Sequence, residues 1–286
     1  MIASLRKKHA SGHFTITVEL DPPKSSSAQK TFEQAKLLDG YVDALNIADS
    51  PMAKMRMSPI ALAHLIQAET NISAIFHLTC RDRNVIGLQS ELLGAAALGV
   101  HNILTLTGDH PSTGDHPNAR PIFETDSVGL IKIAASLNRG FDLMDNPLEV
   151  PTDFYIGTTG NPGADDLLAE KEKIKLKLES GAHFIQTQPL YDLEQAKRFI
   201  DTVAPLGAPI LLGLIPLKSF KMAHYLHTKV PGISLTDSIL SRMEKGGKEE
   251  GLVIARETLD AIRSIAAGVH IMPLNDIETV LRLVKS

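Results

Sequence analysis

The chain has a single cysteine, Cys80, among 286 residues. One thiol excludes an intrachain disulfide and any multi-cysteine zinc or iron–sulfur site built by this chain alone. Cys80 then reads as a lone buried thiol or as a nucleophile. Long apolar runs are absent as well. No stretch approaches the roughly 18 consecutive apolar residues of a membrane-spanning helix. The opening MIASLRKKHASGHFTITVEL has basic residues but no apolar run before its first strand-like segment, so a cytoplasmic protein without membrane contact is expected. A surplus of positive charge is missing too: the formal net charge is −4, which supplies no electropositive field for nucleic acid or an anionic membrane. No GxxxxGK[ST], HExxH or GxSxG motif occurs, which removes the common phosphate-loop, zinc-peptidase and nucleophile-elbow chemistries.

What is present, 43% hydrophobic and 22% charged residues, is enough for a large core. It is arranged as short runs of strand-forming residues alternating with longer helical patterns, the signature of repeated βα units. Strand candidates are 14–20, 44–48, 73–79, 102–107, 153–159, 183–188, 209–215 and 268–272. Helical patterns lie near 28–40, 58–70, 86–99, 126–139, 165–180, 192–204, 218–229, 235–245 and 251–267, with a last one from 276. Eight such units match a (β/α)8 TIM barrel of roughly 250 residues plus insertions, here with extra helices between strands seven and eight and one domain over 1–286. The run AEKEKIKLKLES (169–180) has a strand-like period of two, yet Ile174 and Leu178 also share a helical face and Gly181 is a natural stop; a helix is expected. A doubly wound open sheet would carry a glycine-rich phosphate turn after its first strand, and LDPPKSSS is not one.

In a barrel, the site lies where strands end and βα loops begin. Those ends are polar: Glu19 and Asp21, Asp49, His77 with Thr79 and Arg81, Asp109 and His110, Thr159 and Asn161, Gln186 and Gln188, and Asn275. Strand parity in FTITVEL puts Phe14, Ile16, Val18 and Leu20 on one face and Thr15, Thr17 and Glu19 on the other. Glu19 therefore points into the barrel near its top, either as a paired or rim carboxylate or as a general acid. The acid needs its pKa raised by roughly 3 units, about 4 kcal/mol of desolvation and like-charge repulsion, to which Asp109 could contribute. The segment LTGDHPSTGDHPNARPIFETDS (106–127) contains GDHP twice. Its Asp and His residues could hold a metal, but they stand beside glycines and prolines that serve turns equally well. Gly108 permits close approach of a ligand to the backbone, and Arg120 can reach a phosphate or carboxylate. Anion or cofactor binding is the better expectation, with no metal.

Five segments in order, FTITVELDPPK, FHLTCRDRN, LQSELLGAAALGVHNILTLTGDHP, ESGAHFIQTQPLYD and GLIPLKSFKMAHYL, resemble the methylenetetrahydrofolate reductases, from about residue 12 to about 230 and more loosely to the end. The doubled GDHP and NIADSPMAKMRMS look most like the branch of acetogenic and other one-carbon-metabolising bacteria. The resemblance implies a ping-pong flavoenzyme: NADH or NADPH delivers hydride to flavin, and flavin N5 reduces 5,10-methylenetetrahydrofolate to 5-methyltetrahydrofolate, or the reverse in methyl-group catabolism. Residue by residue it implies Glu19 as general acid toward the folate, Asp109 as a carboxylate near pterin and flavin, Gln188 as a folate contact and Phe220 as the ring stacking on nicotinamide or folate. Flavin contacts are implied at His77, Leu106, Thr107, Gly108, Asp109, Phe123, Gly157, Thr159, Asn161 and Lys177.

From the residues alone, His77 reads equally as a core histidine, Lys177 as part of a solvated helix face and Phe220 as a helix-core residue. The chain departs from the family pattern at Thr107, where enteric-type enzymes carry arginine, in TTGNPGADD after the fifth strand, and at Asp276. FAD and FMN therefore both stay open, and contacts to the adenosine and aminobenzoate groups do not transfer. The resemblance further implies tetrahydrofolate derivatives as ligands and an iron–sulfur or zinc-containing partner subunit, and self-association is expected of such a barrel. Two other readings use the same strand ends: a metal-dependent barrel lyase or hydrolase built on Asp49, His77, Asp109 and His110, and a non-catalytic subunit that binds folate beside a methyltransferase or reductase.

Overall fold

Eight parallel strands close on themselves in sequence order in the computed structural model, which describes residues 4–285. They are β1 (Thr15–Leu20), β2 (Ala44–Ile47), β3 (Ser73–Thr79), β4 (Asn102–Leu106), β5 (Tyr155–Gly160), β6 (Phe184–Pro189), β7 (Ile210–Leu214) and β8 (Gly268–Ile271). Each matches an expected strand to within about two residues. Most are apolar on both faces, which suits a parallel sheet covered on both sides. Parity divides the side chains. Val18, Leu45, Phe76, Ile103, Ile156, Ile185, Leu212 and Val269 pack into the helix layer, whereas Ala44, Ile75, Leu104, Tyr155, Phe184 and Leu211 form a separate cluster inside the barrel. Packing inside is tight at Gly157, where a Cβ would lie 2.3 Å from the Phe184 ring.

The outer layer comprises α2 (Gln29–Leu38), α3 (Pro59–Glu69), α4 (Val85–Ala97), α5 (Ser127–Asn138), α6 (Leu167–Glu179), α7 (Leu193–Val203), α8 (Phe220–Lys229), α9 (Asp237–Arg263) and α10 (Ile277–Val284). Side-chain caps start most of them at the barrel mouth. Asn84 accepts from Gly87 N–H, Asp126 from Gly129 N–H, Asp166 from Leu168 and Ala169 N–H, and Ser219 from Met222 N–H, each satisfying donors that the first helical turn leaves free. The ambiguous lysine-rich run is helical, α6, with Ile174 buried beneath it. Two helices expected between strands seven and eight are joined as α9, interrupted at Gly247 (φ 56°, ψ −139°).

A further helix, α1 (Leu5–Ala10), precedes the barrel and is not among those expected. Its six residues, LRKKHA, are too few and too basic to show a hydrophobic period. It closes the N-terminal end of the barrel. Leu5 joins the interior cluster, and His9 lies 2.8 Å from Tyr155 Oη through Nδ1 and 3.1 Å from Thr15 Oγ1 through Nε2. Among the described residues no helix is long and apolar enough to cross a membrane.

Candidate functional site at the barrel mouth

Glu19 lies on the inward parity of β1, and the register of β1 on β8 (Thr17 opposite His270) brings it beside a histidine. His270 Nε2 is 3.6 Å from Glu19 Oε2. Its Nδ1 is 3.1 Å from Thr17 Oγ1 and 3.2 Å from Asn46 Nδ2, and Asn46 Oδ1 is 3.1 Å from His77 Nε2. Four adjacent strands, β8, β1, β2 and β3, thus contribute one polar chain inside the barrel. Burial pushes the Glu19 carboxyl upward, but the imidazoles that face it, His270 first and then His77, outweigh burial and hold the group below its ordinary value. The expectation of a raised pKa in the free protein is corrected: the groups facing Glu19 are imidazoles, and Asp109 is not among those acting on it.

Like-charge repulsion falls instead on Asp21, whose carboxyl is raised by burial and by Glu19, against an opposing pull from Arg56. His77 is buried, and burial lowers its pKa to about 4 despite Glu19 nearby. It is a neutral imidazole inside the barrel. Gln186 on β6 also faces inward; it is 4% exposed, and its Oε1 has no hydrogen-bond partner among the described residues.

The doubled GDHP splits into two structural jobs. Gly108 (φ +95°) passes so close to β3 that a Cβ would sit 2.9 Å from Thr79 Cβ, and one on Gly114 would sit 1.9 Å from the Ala53 carbonyl oxygen. His110 Nδ1 accepts from Ser112 N–H at 3.2 Å and caps the short 3-10 turn Pro111–Thr113. Asp115 accepts from Lys24 Nζ at 2.7 Å and from Met55 N–H at 3.0 Å, tying together the loops after β1, β2 and β4. The Lys24 bond is the largest of the interactions holding the Asp115 carboxyl well below the usual carboxylate range. Asp109, Arg120 and Thr107 are exposed on the same loop, with Thr107 Oγ1 accepting from Ser127 N–H at 3.2 Å. Phe123 adopts φ 40° and stacks on His110 at 6.3 Å. Of the other non-glycine residues with positive φ, Ser50, Met52, Ala53, Leu274 and Asn275 also lie in mouth loops, where such strain is commonly stored, while Asp145 lies between α5 and β5.

Asp49, one candidate metal ligand, is bonded to Thr79 Oγ1 at 2.9 Å and Arg83 Nη1 at 2.8 Å. No three His, Cys, Asp or Glu side chains among the described residues converge on a metal position.

Across the mouth, Lys177 Nζ donates to the Thr159 carbonyl at 2.9 Å, and burial lowers its pKa. It is not part of a solvated helix face. Asn161 N–H donates to Glu170 Oε1 at 2.8 Å while its Oδ1 accepts from Gly163 N–H at 3.0 Å. A Cβ on Gly232 would fall 2.8 Å from Asn161 Oδ1 and 2.9 Å from Gln188 Oε1, so the loop between α8 and α9 passes against both. Phe220 opens α8 and is 37% exposed, which overturns its reading as a helix-core residue. Leu106 packs on the interior cluster, and Gly157 lies deeper, beneath the Phe184 ring. His270 and Asn46 were not singled out by sequence; their inward parity was legible, but their convergence on Glu19 depends on register between strands distant in the chain.

A closed eight-stranded barrel with ionisable and amide side chains gathered at the C-terminal strand ends defines a (β/α)8-barrel protein, and those side chains stand at the end of the barrel where sites of that fold are usually found. The family model for methylenetetrahydrofolate reductase matches residues 4–286, and the chain belongs to the methylenetetrahydrofolate reductase family. It is 24% identical over 277 residues to methylenetetrahydrofolate reductase 1 of Schizosaccharomyces pombe, covering 89% of this chain and 42% of that relative. It is 26% identical over 223 residues to the 5,10-methylenetetrahydrofolate reductase of Salmonella typhimurium, covering 74% of this chain and 68% of the other. The chain therefore spans less than half the length of the fission-yeast relative. In fold it is similar to an uncharacterized protein from Clostridium thermocellum that binds two copies of 5-methyl-5,6,7,8-tetrahydrofolic acid, with a TM-score of 0.66 and 16% identity over 99% of this chain and 98% of that one.

Proposed function

We propose that the chain is a flavin-dependent methylenetetrahydrofolate reductase: one barrel domain, binding flavin and folate, that passes a hydride from NADH or NADPH to 5,10-methylenetetrahydrofolate and forms 5-methyltetrahydrofolate, or runs the reverse when methyl groups are catabolised. The observation that carries this reading is the Glu19 carboxylate on the inner wall of the mouth, paired with His270 and facing Asp21, in a chain of this family. The side chains fit a heteroaromatic ring bearing N–H donors and carbonyl acceptors. Gln186 offers a buried Oε1 without a partner among the described residues, and Lys177 brings a half-buried ammonium to the end of β5. FAD or FMN, when bound, would supply the hydride carrier between the two substrates. His77, Leu106 to Asp109, Phe123, Gly157, Thr159, Asn161 and Lys177 are the residues proposed to hold it.

The chain's own work is to orient and to move a proton. Phe220 stacks on the nicotinamide or the pterin, and Gln188 orients the folate. Glu19 gives its proton to the folate, so that one C–N bond of the five-membered ring breaks and the electron pair of the other nitrogen forms a cationic iminium, the hydride acceptor. The Asp109 carboxylate offsets that cation. In the free protein the imidazoles keep Glu19 ionised at neutral pH. A pterin laid over it strips water from the carboxyl and raises its pKa, so the acid is armed only when substrate is present.

The absorption spectrum of the purified protein, with chromatography of the released chromophore, tests the reading and separates FAD from FMN. A flavin spectrum that is bleached by NADH or NADPH and restored by methylenetetrahydrofolate supports it. A colourless protein holding stoichiometric metal would favour a lyase, and a flavin that folate cannot reoxidise would favour a non-catalytic subunit; either result overturns the proposal.

A further inference from the structure

The polar chain beneath Glu19 has a hydrogen-bond direction. Asn46 Oδ1 can only accept, and it faces His77 Nε2 at 3.1 Å, so the proton of neutral His77 sits on Nε2. Asn46 Nδ2 can only donate, and it faces His270 Nδ1 at 3.2 Å; the Thr17 hydroxyl, 3.1 Å from the same nitrogen, has its single proton shared between that nitrogen and the Val269 carbonyl oxygen at 3.4 Å, so the Asn46 amide sets the direction. His270 Nδ1 is therefore an acceptor, and its ring proton lies on Nε2, the atom 3.6 Å from Glu19 Oε2. All three polar residues below the carboxylate are buried, His270 at 2% exposure, so water does not offer an alternative set of partners.

We propose that His270 is the positioning residue for Glu19, and that Asn46 and His77 fix the His270 tautomer from inside the barrel. Its functional meaning rests on the reading of Glu19 as the proton donor to folate. A neutral His270 presents one N–H to the carboxylate without a full positive charge. It aims the carboxylate and favours its ionised form, yet leaves it able to take a proton when substrate removes water. A second proton on His270 Nδ1 would point at the Asn46 amide hydrogens. It could be accommodated only if the amide turned over and His77 moved its own proton to Nδ1, so the three groups change state together. The titratable groups facing the carboxylate are His270 from β8, His77 from β3 and Asp21 from the end of its own strand, with Arg56 acting on Asp21.

Nitrogen and carboxyl-carbon NMR of the full chain, with labelled histidine and glutamate, tests this without flavin or folate. In the unmodified protein, His270 and His77 should both appear as Nε2–H tautomers at neutral pH. His270→Leu should raise the Glu19 titration by about one pH unit or more, and His270→Gln, which keeps a neutral N–H donor, should return part of that shift. Asn46→Asp, acceptor-only toward Nδ1, should give a doubly protonated His270 at neutral pH. An Nδ1–H tautomer of His270 in the unmodified protein, or a Glu19 titration that His270→Leu leaves unmoved, would overturn the relay. The tautomer measurement stands even where the substituted chains do not fold. A shifted Glu19 titration in a protein that does not reduce folate would sink the reductase reading and leave the relay, whereas folate reduction with an unmoved titration would do the opposite.

Discussion

Glu19, Asp109 and Asp115 carry the same functional group and do different things, because different partners reach them. Asp115 is consumed by Lys24 and the Met55 amide, Glu19 is held by an imidazole inside the barrel, and Asp109 stays exposed on the rim. The direction of Glu19 was legible from strand parity, which needs only a local alternation. The split between the two GDHP copies was not, since Gly114 earns its place through the Ala53 carbonyl, on a loop some sixty residues earlier in the chain. The sign of the Glu19 shift was also hidden, because it depends on His270 arriving from the other end of the sequence. Gly114→Ala should push the loops after β2 and β4 apart and cost about 1–3 kcal/mol in denaturant unfolding. An unchanged unfolding midpoint would mean that this contact does not hold the mouth loops together.

At the scale of elements, the strands were visible because each carries its own apolar run between turn residues, and the longer helices because they carry a period and, in all but α2, a side-chain cap. α1 carries neither. Its six residues become a helix through Leu5 entering the barrel interior and His9 meeting Tyr155 and Thr15, a tertiary cause that no local pattern announces. The break in α9 was legible as a gap between two helical patterns, and the structure keeps it as a kink at the non-helical Gly247. Leu5→Ala should cost about 2–5 kcal/mol, since it empties a fully buried position beneath the strands. A loss under about 0.5 kcal/mol, the range of ordinary surface changes, would show that α1 is not a structural plug.

For the molecule as a whole, buried neutral histidines set the acid limit of stability. Burial lowers both His9 and His77 from 6.5 to about 4. Between those values the unfolded chain binds protons that the folded barrel does not, so stability is full above the unfolded pKa and falls as pH drops toward the folded one. From pH 6.5 to pH 5 each histidine should remove roughly 2 kcal/mol. The depressed Glu19 carboxyl works in the same sense at lower pH, its contribution being present above its unfolded value and lost as pH falls through the folded one. Urea midpoints at pH 7 and pH 5 check this: a clear drop is expected, and equal midpoints would mean that the two rings are hydrated enough to protonate in place.

The most direct measurement is rapid anaerobic mixing of the protein and its Glu19→Gln variant, following the two half-reactions separately. Reduction by the nicotinamide should proceed at nearly the same rate in both proteins, while reoxidation by methylenetetrahydrofolate should slow by about 10²-fold or more in the variant. Equal slowing of both halves would mark Glu19 as structural, and unaltered reoxidation would show that the proton reaches folate from elsewhere; either outcome contradicts proton delivery from the inner wall of β1.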